Sequence, residues 1–497
     1  MNRRQLRATL DKEFNLNLKS EIGRKLSRRL TSKQPLRRFG LVGHPLGHSM
    51  SPYIHKHLMA EAGIHGEYRL YDVDPEGFDR TVHRMMTELD GFNITIPYKE
   101  RILPKLEALH DDAAGFGAVN TVCGQHGYNT DIAGFRACAV PLSGRRVLLL
   151  GAGGVARVML REALVQRAAA VGIYARNPAQ VQALIDRFAP EFPDTLLFHE
   201  EVAGRPDVLS AGPQPASEGE APGHRSSPLP YDVILNATPI GMWPHCGGIP
   251  TSRAVIAEAE YVFDSVYNPL ATRLVLAARS MHVKAQSGLG MLLHQALEAQ
   301  RIWNPGNDFS TVSMLSLEQK LKHRLLKQSP VKIVLTGFMG SGKTTIGRRL
   351  ARSLGIPFTD IDLMIVEENA KPIAQIFRED GEVFFRRSEQ QCLLKAMSLP
   401  KSMVVATGGG AVLNPDNVGI IRRNNGLILF LHVDIQTVFQ RVGDDGSRPL
   451  LDGQSRQNIE QLYMQRLPLY HATADCTVEA HGDIPEIVAD IRDALGF

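Results

Sequence analysis

The stretch VKIVLTGFMGSGKTTIGRRLA, residues 331–351, reads as a short apolar strand, a glycine-rich turn and the start of a helix. Within it Gly337, Gly342, Lys343 and Thr344 keep the spacing G-x-x-x-x-G-K-[ST]. Backbone N–H groups of such a turn surround phosphate oxygens, the lysine neutralises a phosphate, and the threonine hydroxyl can reach Mg²⁺. The stretch therefore predicts an α/β domain with a parallel sheet that binds a nucleoside triphosphate. The expected contacts are Gly337, Gly340, Ser341, Gly342, Lys343, Thr344 and Thr345.

A second glycine turn lies upstream in RRVLLLGAGGVARVMLREAL, residues 145–164. The spacing of its small residues is that of a dinucleotide-binding Rossmann turn, whose helix N-terminus faces a pyrophosphate. The expected contacts are Gly151, Ala152, Gly153, Gly154, Val155 and Ala156, followed after the next strand by Ala175, Arg176 and Asn177. An acid at the end of that second strand would bind the ribose of NAD. Arg176 instead fits a 2′-phosphate, so the sequence favours NADP.

Length and composition set limits on the rest. A chain of 497 residues predicts more than one domain, and 43% hydrophobic with 22% charged residues is ordinary for a globular protein. The chain contains no apolar run of about 18 residues and its first ten residues do not resemble a signal peptide, so we expect a cytoplasmic protein without membrane contact. Five widely spaced cysteines predict no disulfide framework.

The N-terminal arm differs from the rest of the chain. Residues 1–38 contain 12 Lys/Arg against 3 Asp/Glu, and apolar residues recur every four positions. We interpret the arm as a basic helix docked on the body or a partner; a nucleic-acid arm and a transit peptide are the alternatives. Because the remaining chain is mildly acidic, we expect no nucleic-acid partner.

A group of polar residues precedes the dinucleotide turn. It consists of Asn93, Thr95 and Lys99 in GFNITIPYKE, Asn120 in AVNTV, and Asp131 in GYNTDIAGF. A lysine and an aspartate in one pocket can act together, because the ammonium donates a proton to a developing alkoxide while the carboxylate positions it. The alternative is an ordinary surface salt bridge.

These blocks carry a resemblance. GHPLGHSMSP, NITIPYK, AVNT, NTDIAGF, GAGGVA, LNATPIGM and SGLGMLLHQA make residues 39–305 similar to shikimate dehydrogenase. The resemblance implies Lys99 and Asp131 as the catalytic pair, and Gly288 in a loop behind the cofactor. It implies that substrate lies against Ser49, Ser51, Asn93, Thr95, Lys99, Asn120, Asp131, Tyr267 and Gln295.

The surroundings of the triphosphate turn point to the acceptor. Asp360 and Asp362 follow a predicted strand; the first can hold magnesium, the second an acceptor hydroxyl. Two arginines favour a carboxylate on the acceptor. The charged and glycine partners that follow Asp362 in the sequence are Arg386, Gly408, Gly409, Gly410, Arg448 and Arg466.

This set makes residues 331–497 similar to shikimate kinase. The resemblance implies that shikimate binds at Asp362, Arg386, Arg466 and the turn formed by Gly408, Gly409 and Gly410. Lys343 and Asp362 are then the expected catalytic residues, and Thr344 and Asp360 the expected Mg²⁺ ligands. It also places Arg448 in a lid that reaches the phosphates of ATP and Arg441 beside the adenine.

Together the halves predict a bifunctional enzyme that reduces 3-dehydroshikimate with NADPH and phosphorylates shikimate with ATP and Mg²⁺. A metabolite-sensing regulator and a dehydrogenase for quinate are the alternatives, and a homodimer is left open. The expected divisions are an arm (1–38), a substrate-binding domain (39–140 and 276–305), an NADP-binding Rossmann domain (141–275, with a flexible insertion at 203–230), a linker (306–330) and a P-loop kinase domain (331–497).

Overall fold

The computed structural model describes residues 35–47, 49–110, 113–200, 230–442 and 456–497. In these ranges strands and helices alternate and form three sheets, which confirms the predicted α/β class. Among the helices of these ranges, none combines the length and apolar character needed to cross a membrane. Nearly all of the N-terminal arm, nearly all of the 203–230 insertion, and Arg448 lie outside the described residues.

The first sheet is mixed. Its strands are β1 (Arg37–Gly43), β2 (Gly66–Asp72), β3 (Gly91–Ile94), β4 (Ala108–Leu109), β5 (Thr121–Cys123) and β6 (His126–Tyr128). Their order is β2-β1-β3-β5-β6-β4, with β1 parallel to β2 and β3, and β5 antiparallel to β3. The interior strand β1 is buried from Phe39 to Gly43, as expected of a strand that is covered on both faces. The accompanying helices are α1 (Ser51–Glu61), α2 (Phe78–Glu88), α3 (Ala113–Phe116) and α4 (Asp131–Ala137), with a 3₁₀ turn at Leu103–Lys105.

The second sheet is parallel throughout its described strands. These are β7 (Arg146–Leu150), β8 (Ala170–Tyr174), β9 (Leu196–His199), β10 (Val233–Asn236), β11 (Tyr261–Asp264) and β12 (Lys284–Ser287). The order β12-β11-β10-β7-β8-β9 reverses direction between β7 and β10, where a doubly wound sheet opens a ligand crevice. Its helices are α5 (Gly154–Val165), α6 (Pro178–Phe188), α7 (Arg253–Ala257) and α8 (Arg273–Ser280).

Strand β12 corrects the expected division at residue 275. It pairs in parallel with β11, Lys284 opposite Tyr261, and so continues the second sheet. The chain returns to the first sheet only through α9 (Leu289–Trp303), which packs against α4 and α1. At the end of α9 the Trp303 ring stacks on Phe39 of β1, 4.9 Å between centroids. The substrate-binding unit therefore resumes after Ser287.

The third sheet is again parallel in the described residues. Its strands are β13 (Lys332–Thr336), β14 (Phe358–Asp360), β15 (Met403–Ala406), β16 (Gly426–His432) and β17 (Cys476–Glu479), in the order β14-β15-β13-β16-β17. The helix that precedes it is α10 (Met314–Gln328). The helices around it are α11 (Lys343–Leu354), α12 (Ile361–Asn369), α13 (Ile373–Glu379), α14 (Gly381–Ser398), α15 (Pro415–Arg423), α16 (Ile435–Val442), α17 (Arg456–Thr473) and α18 (Ile484–Leu495), with a 3₁₀ turn at Ala411–Leu413.

The segment expected as a linker is packed. Leu317, Leu321 and Leu325 of α10 are buried against the hydrophobic core around Phe39, and Leu326 belongs to the core of the third sheet. A period of four places these leucines along one side of the helix, which explains why it docks rather than spans a gap.

Helix α8 joins the second and third sheets. Its Val275 and Leu276 are buried in the same hydrophobic cluster as strands β13 and β16. The Arg273 guanidinium donates to the Gly426 carbonyl (3.4 Å), and its Nε lies 3.3 Å from Asp475 Oδ1, with both side chains at most 5% exposed. The two halves of the chain thus share a buried interface.

Candidate active sites

Lys99 and Asp131 form a direct ion pair. Lys99 follows β3 and Asp131 is the first residue of α4, and Lys99 Nζ donates to Asp131 Oδ2 at 2.6 Å. Their side chains are 19% and 15% exposed, so the pair lies in a cleft rather than on an open surface. An ammonium held this way can approach a bound carbonyl while its orientation stays fixed.

Two asparagines build a rigid polar wall beside this pair. The Asn93 amide donates to the Asn120 carbonyl (3.1 Å) and to Thr121 Oγ1 (2.9 Å). Asn120 Oδ1 accepts from the Thr130 backbone N–H at 2.8 Å. Because the amides are fixed by buried partners, they offer preset hydrogen-bonding groups to a polyhydroxylated ligand.

Tyr68 of β2 is a member of this wall that sequence reasoning missed. Its hydroxyl donates to Asn93 Oδ1 at 2.8 Å and is also hydrogen-bonded to Ser51. Burial raises the pKa of Tyr68 well above its usual value, so the hydroxyl stays protonated and remains a donor. Tyr68 could have been found only from the β1–β2 register, which sequence alone does not supply.

The other expected substrate contacts surround the wall. Ser51 begins α1, and its N–H donates to Ser49 Oγ at 3.3 Å. Thr95 directly follows β3, and its N–H donates to the Val42 carbonyl. Gln295 of α9 is reached by Thr130 Oγ1 at 3.4 Å. Burial raises the pKa of Tyr267, which lies after β11.

The dinucleotide turn has the backbone that its glycines predict. Gly151 has φ +109°, and a Cβ there would lie 3.1 Å from the Ala237 carbonyl oxygen. Gly153 is the N-cap residue of α5 and Gly154 its first residue, and a Cβ at either would meet nothing within 4 Å. The open space at the helix N-terminus fits a pyrophosphate. Beyond the turn, Ala152 and Val155 pack on the core and Ala156 is buried where the helix meets the sheet.

The three residues that follow β8 have different surroundings. Arg176 is exposed at the carboxyl end of the strand, at the edge where the turn opens. Asn177 caps α6, because its side chain accepts from the Ala179 N–H at 3.1 Å. Ala175 packs against the core. Gly288 allows the chain to pass close to the residue after β11, since a Cβ there would lie 2.1 Å from the Ser265 carbonyl oxygen.

The triphosphate turn carries left-handed backbone at Gly340 (φ +77°) and Gly342 (φ +84°), with Gly337 at φ +148°. Lys343 is the first residue of α11, and its Nζ donates to the Gly337 and Phe338 carbonyls at 2.9 Å each. Ser341 is buried and Thr345 is exposed. The ammonium is therefore held over the turn, where a phosphate would meet it.

Thr344 and Asp360 meet across two elements. Thr344 Oγ1 donates to Asp360 Oδ2 at 2.6 Å, although the residues are 16 positions apart. The other oxygen of Asp360 accepts from the Asp362 N–H at 3.0 Å and so caps α12. A hydroxyl and a carboxylate at one point are ligands that suit Mg²⁺.

The predicted acceptor residues converge on one glycine turn. A Cβ on Gly408 would lie 2.9 Å from Asp362 Oδ1, and one on Gly410 would lie 2.7 Å from an Arg386 guanidinium nitrogen. A Cβ on Gly409 would lie 3.8 Å from Arg466. Two guanidinium groups and two carboxylates, those of Asp362 and Glu389, thus border a backbone that carries no side chains.

Glu389 is a second residue that sequence reasoning missed. It is only 1% exposed, and its Oε2 accepts from Arg386 Nη1 at 2.9 Å. Burial raises the pKa of this carboxyl, against the opposing effect of the Arg386 charge. A signal existed, because Glu389 lies three residues after Arg386 and shares its face of α14.

Arg441 links the triphosphate turn to the loop after β17. Its guanidinium donates to the Gly340 carbonyl at 3.4 Å and to the Ala480 carbonyl at 2.8 Å.

Two family models match the chain. Residues 41–122 match the shikimate dehydrogenase substrate binding domain, and residues 339–495 match shikimate kinase. The NADP(+)-dependent shikimate dehydrogenase of Shouchella clausii is 33% identical over 278 residues, 54% of this chain and 92% of the relative. That of Caldanaerobacter subterraneus is 32% identical over 276 residues, 53% and 90%. A chorismate mutase/shikimate 5-dehydrogenase fusion from Clostridium acetobutylicum has a solved structure with TM-score 0.48 and 30% identity, covering 59% of this chain and 98% of that one.

The folds and sites define a two-part α/β enzyme with one dinucleotide turn and one triphosphate turn. The chain belongs to the shikimate dehydrogenase family over its N-terminal part, and it carries a shikimate kinase domain at its C-terminal end. It is therefore a bifunctional enzyme of the shikimate pathway, as the sequence predicted.

Proposed function

We propose that the N-terminal part reduces 3-dehydroshikimate to shikimate with NADPH. The observation that carries this is the Lys99–Asp131 pair at 2.6 Å, in a cleft lined by the fixed amides of Asn93 and Asn120. The open turn at Gly151–Gly154, with Gly151 at positive φ, fits the pyrophosphate of a dinucleotide, and the exposed Arg176 fits its 2′-phosphate.

The residues of the cleft have separate tasks. NADPH, when bound, supplies a hydride to the carbonyl carbon. Lys99 donates a proton to the carbonyl oxygen as that oxygen becomes an alkoxide. Asp131 accepts the hydrogen bond from Lys99 Nζ and so orients it. Asn93 and Asn120, held by Tyr68 and Thr130, bind ring hydroxyls in a fixed geometry.

We propose that the C-terminal part transfers the γ-phosphoryl group of ATP to the 3-hydroxyl of shikimate. Arg386 and Arg466 bind the shikimate carboxylate at the Gly408–Gly410 turn, and Asp362 accepts the hydrogen bond of the attacking hydroxyl. Lys343 neutralises charge on the transferred phosphoryl group. Thr344 and Asp360 would hold Mg²⁺, which when bound neutralises phosphate charge.

The remaining expectations stay proposals. They comprise the two small-molecule substrates as partners, no nucleic-acid or membrane partner, a cytoplasmic location where NADPH and ATP are available, and the adenine contact of Arg441. The domain division is proposed with the boundary moved from residue 275 to the end of β12, and with α10 as a packed connector.

The test is a coupled reaction with the whole chain. Purified protein receives 3-dehydroshikimate, NADPH and Mg-ATP, and the products are identified by mass. We expect shikimate 3-phosphate, with one NADPH oxidised and one ADP formed per molecule.

Omission controls separate the two steps. Without ATP, shikimate should accumulate; without NADPH, no phosphorylated product should form. Reduction of 3-dehydroquinate as fast as 3-dehydroshikimate would favour the quinate alternative, and substrate binding without turnover would favour the sensor.

A further inference from the structure

Three side chains converge at the carboxyl ends of β16 and β17, in neither of the proposed reaction centres. His432 ends β16, Glu479 ends β17, and His481 follows two residues later. Glu479 Oε2 lies 2.8 Å from His432 Nδ1 and 3.1 Å from His481 Nε2. We infer that this His–Glu–His cluster binds a divalent cation of the Zn²⁺ type.

The hydrogen bonds of Tyr463 decide which nitrogen of His432 carries a proton. The Tyr463 hydroxyl donates its single proton to the Val433 carbonyl at 2.9 Å. The same oxygen lies 3.2 Å from His432 Nε2, so it accepts a bond from Nε2–H. In a neutral His432 the unprotonated nitrogen is therefore Nδ1, and Nδ1 faces Glu479.

His481 lies between two carboxylates. Asp434 Oδ2 lies 3.2 Å from its Nδ1 and Glu479 Oε2 lies 3.1 Å from its Nε2, and a carboxylate can only accept. A neutral His481 donates to one of them, and in the tautomer that donates to Asp434 the lone pair of Nε2 is directed at Glu479 Oε2.

In these tautomers two imidazole lone pairs and the Glu479 carboxylate face one another. The three ligand atoms lie within 4.8 Å of one another, close enough for one ion to contact all of them. A cation there would select these tautomers and form a coordinate bond with each of the three groups. In metal sites a ligating histidine donates its other N–H to a fixed acceptor, as both histidines do here.

The donor set indicates the class of ion. Two imidazoles and one carboxylate suit Zn²⁺ and similar borderline cations better than Mg²⁺, which prefers oxygen ligands alone. The Glu479 side chain is 64% exposed, so water could complete a tetrahedral shell. The site is distinct from the Thr344–Asp360 pair.

The position of the cluster connects it to the nucleotide site. Ala480, between the two ligands from the β17 loop, accepts a bond from Arg441, which also contacts Gly340 of the triphosphate turn. A bound ion would hold residues 479–481 in one conformation and so fix the position of the Ala480 carbonyl to which Arg441 donates.

The test uses the whole chain, stripped of metal by a chelator and titrated with Co²⁺ without nucleotide or magnesium. Visible Co²⁺ absorption reports binding independently of either activity. We expect one Co²⁺ per chain, displaced by one Zn²⁺. Glu479→Gln and His481→Asn should each weaken binding at least about tenfold, and Tyr463→Phe, which frees the His432 tautomer, should weaken it roughly tenfold.

Matched variants and a wild-type measurement make the result decisive. His323→Gln, at an exposed α10 histidine bonded to the Gln319 carbonyl, and the pair His110→Gln/His126→Gln should bind Co²⁺ like the wild type. X-ray absorption of the Zn²⁺-loaded wild type should show two imidazole ligands. Equal binding in Glu479→Gln, His481→Asn and wild type, or absorption without two imidazoles, would overturn the proposal in favour of protonated histidines paired with Glu479.

Discussion

The two phosphate-binding turns both follow a buried parallel strand and lead into a helix, but they use charge differently. In the first turn α5 begins with Gly154 and the phosphate would meet backbone N–H groups. In the second, α11 begins with Lys343, whose Nζ lies 2.9 Å from two carbonyls of the turn. A turn that only holds a cofactor can bind its phosphates with backbone N–H groups alone. A turn that supports phosphoryl transfer also needs a side-chain charge close to the transferred phosphate.

The backbones differ for the same reason. Gly151 is the positive-φ residue of the first turn, whereas Gly337, Gly340 and Gly342 all adopt positive φ in the second. More N–H groups can therefore point inward around a compact, highly charged group. In the first site the charge for a 2′-phosphate comes from Arg176, after the next strand.

The largest effect should follow removal of the Lys343 ammonium. Lys343→Ala should lower phosphorylation of shikimate by roughly 10³-fold, because the phosphoryl charge in the transition state loses its partner. NADPH-dependent reduction should continue unchanged, and both rates are measured on one preparation. Lys395→Ala, which breaks a surface pair with Glu368, is the control and should alter neither rate. A tenfold loss of reduction in Lys343→Ala would show that the two sites are coupled.

The corresponding change in the dehydrogenase site is Lys99→Ala. It should lower kcat for reduction by roughly 100-fold or more with a smaller effect on KM, because Lys99 acts on charge that develops in the transition state. Phosphorylation of supplied shikimate should not change. Lys105→Ala, which breaks a pair with Asp79, serves as the control. A wild-type kcat with a raised KM would instead assign Lys99 to substrate binding.

Arg176→Ala tests the separate source of charge in the first site. Loss of a charge-assisted hydrogen bond should cost about 1.5 to 3 kcal/mol of NADP preference over NAD. The measurement is kcat/KM with each cofactor. Arg176→Lys should fall between, because it keeps the charge and loses the planar fork. Equal selectivity in Arg176→Ala and wild type would contradict the assignment.

The smallest effect is expected on stability, when one glycine of each turn is replaced by alanine. Gly337→Ala should destabilise the fold by about 1 to 3 kcal/mol, because its φ is +148° and the added Cβ would lie 2.7 Å from the Leu431 carbonyl oxygen. Gly154→Ala should not, since its Cβ would meet nothing within 4 Å at the start of a helix. Thermal unfolding without ligands measures both. Similar losses in the two variants would remove the difference in backbone strain.

Sequence reasoning reached the parts that local chemistry determines. The spacing of the glycines predicts the two turns and the α/β class. Chemical type alone leaves a surface salt bridge open for Lys99 and Asp131, 32 residues apart, and the resemblance to shikimate dehydrogenase is what pairs them. It could not reach Tyr68, whose role depends on strand register. The division at residue 275 failed because the short, half-polar strand β12 has no strong strand signal.

The sequence analysis also missed the interface on α8, although the uninterrupted apolar run from Leu274 to Ala278 was a signal for it. Arg273, Leu274, Val275, Leu276, Ala277 and Ala278 are all buried. A helix without a solvent-facing side must be covered on both sides, in this case by the second and third sheets.

That shared interface has an evolutionary consequence. A gene split at residue 325 would separate Leu325 from Leu326, which are buried in different cores, and would bare Val275 on one product. It would also leave the Arg273 guanidinium without Asp475, the carboxylate that it faces across the interface. Descendants could return to two independent polypeptides only after polar substitutions had accumulated on both faces. Selection can therefore refine either catalyst, but separating the two genes would first produce polypeptides that expose apolar surface and aggregate.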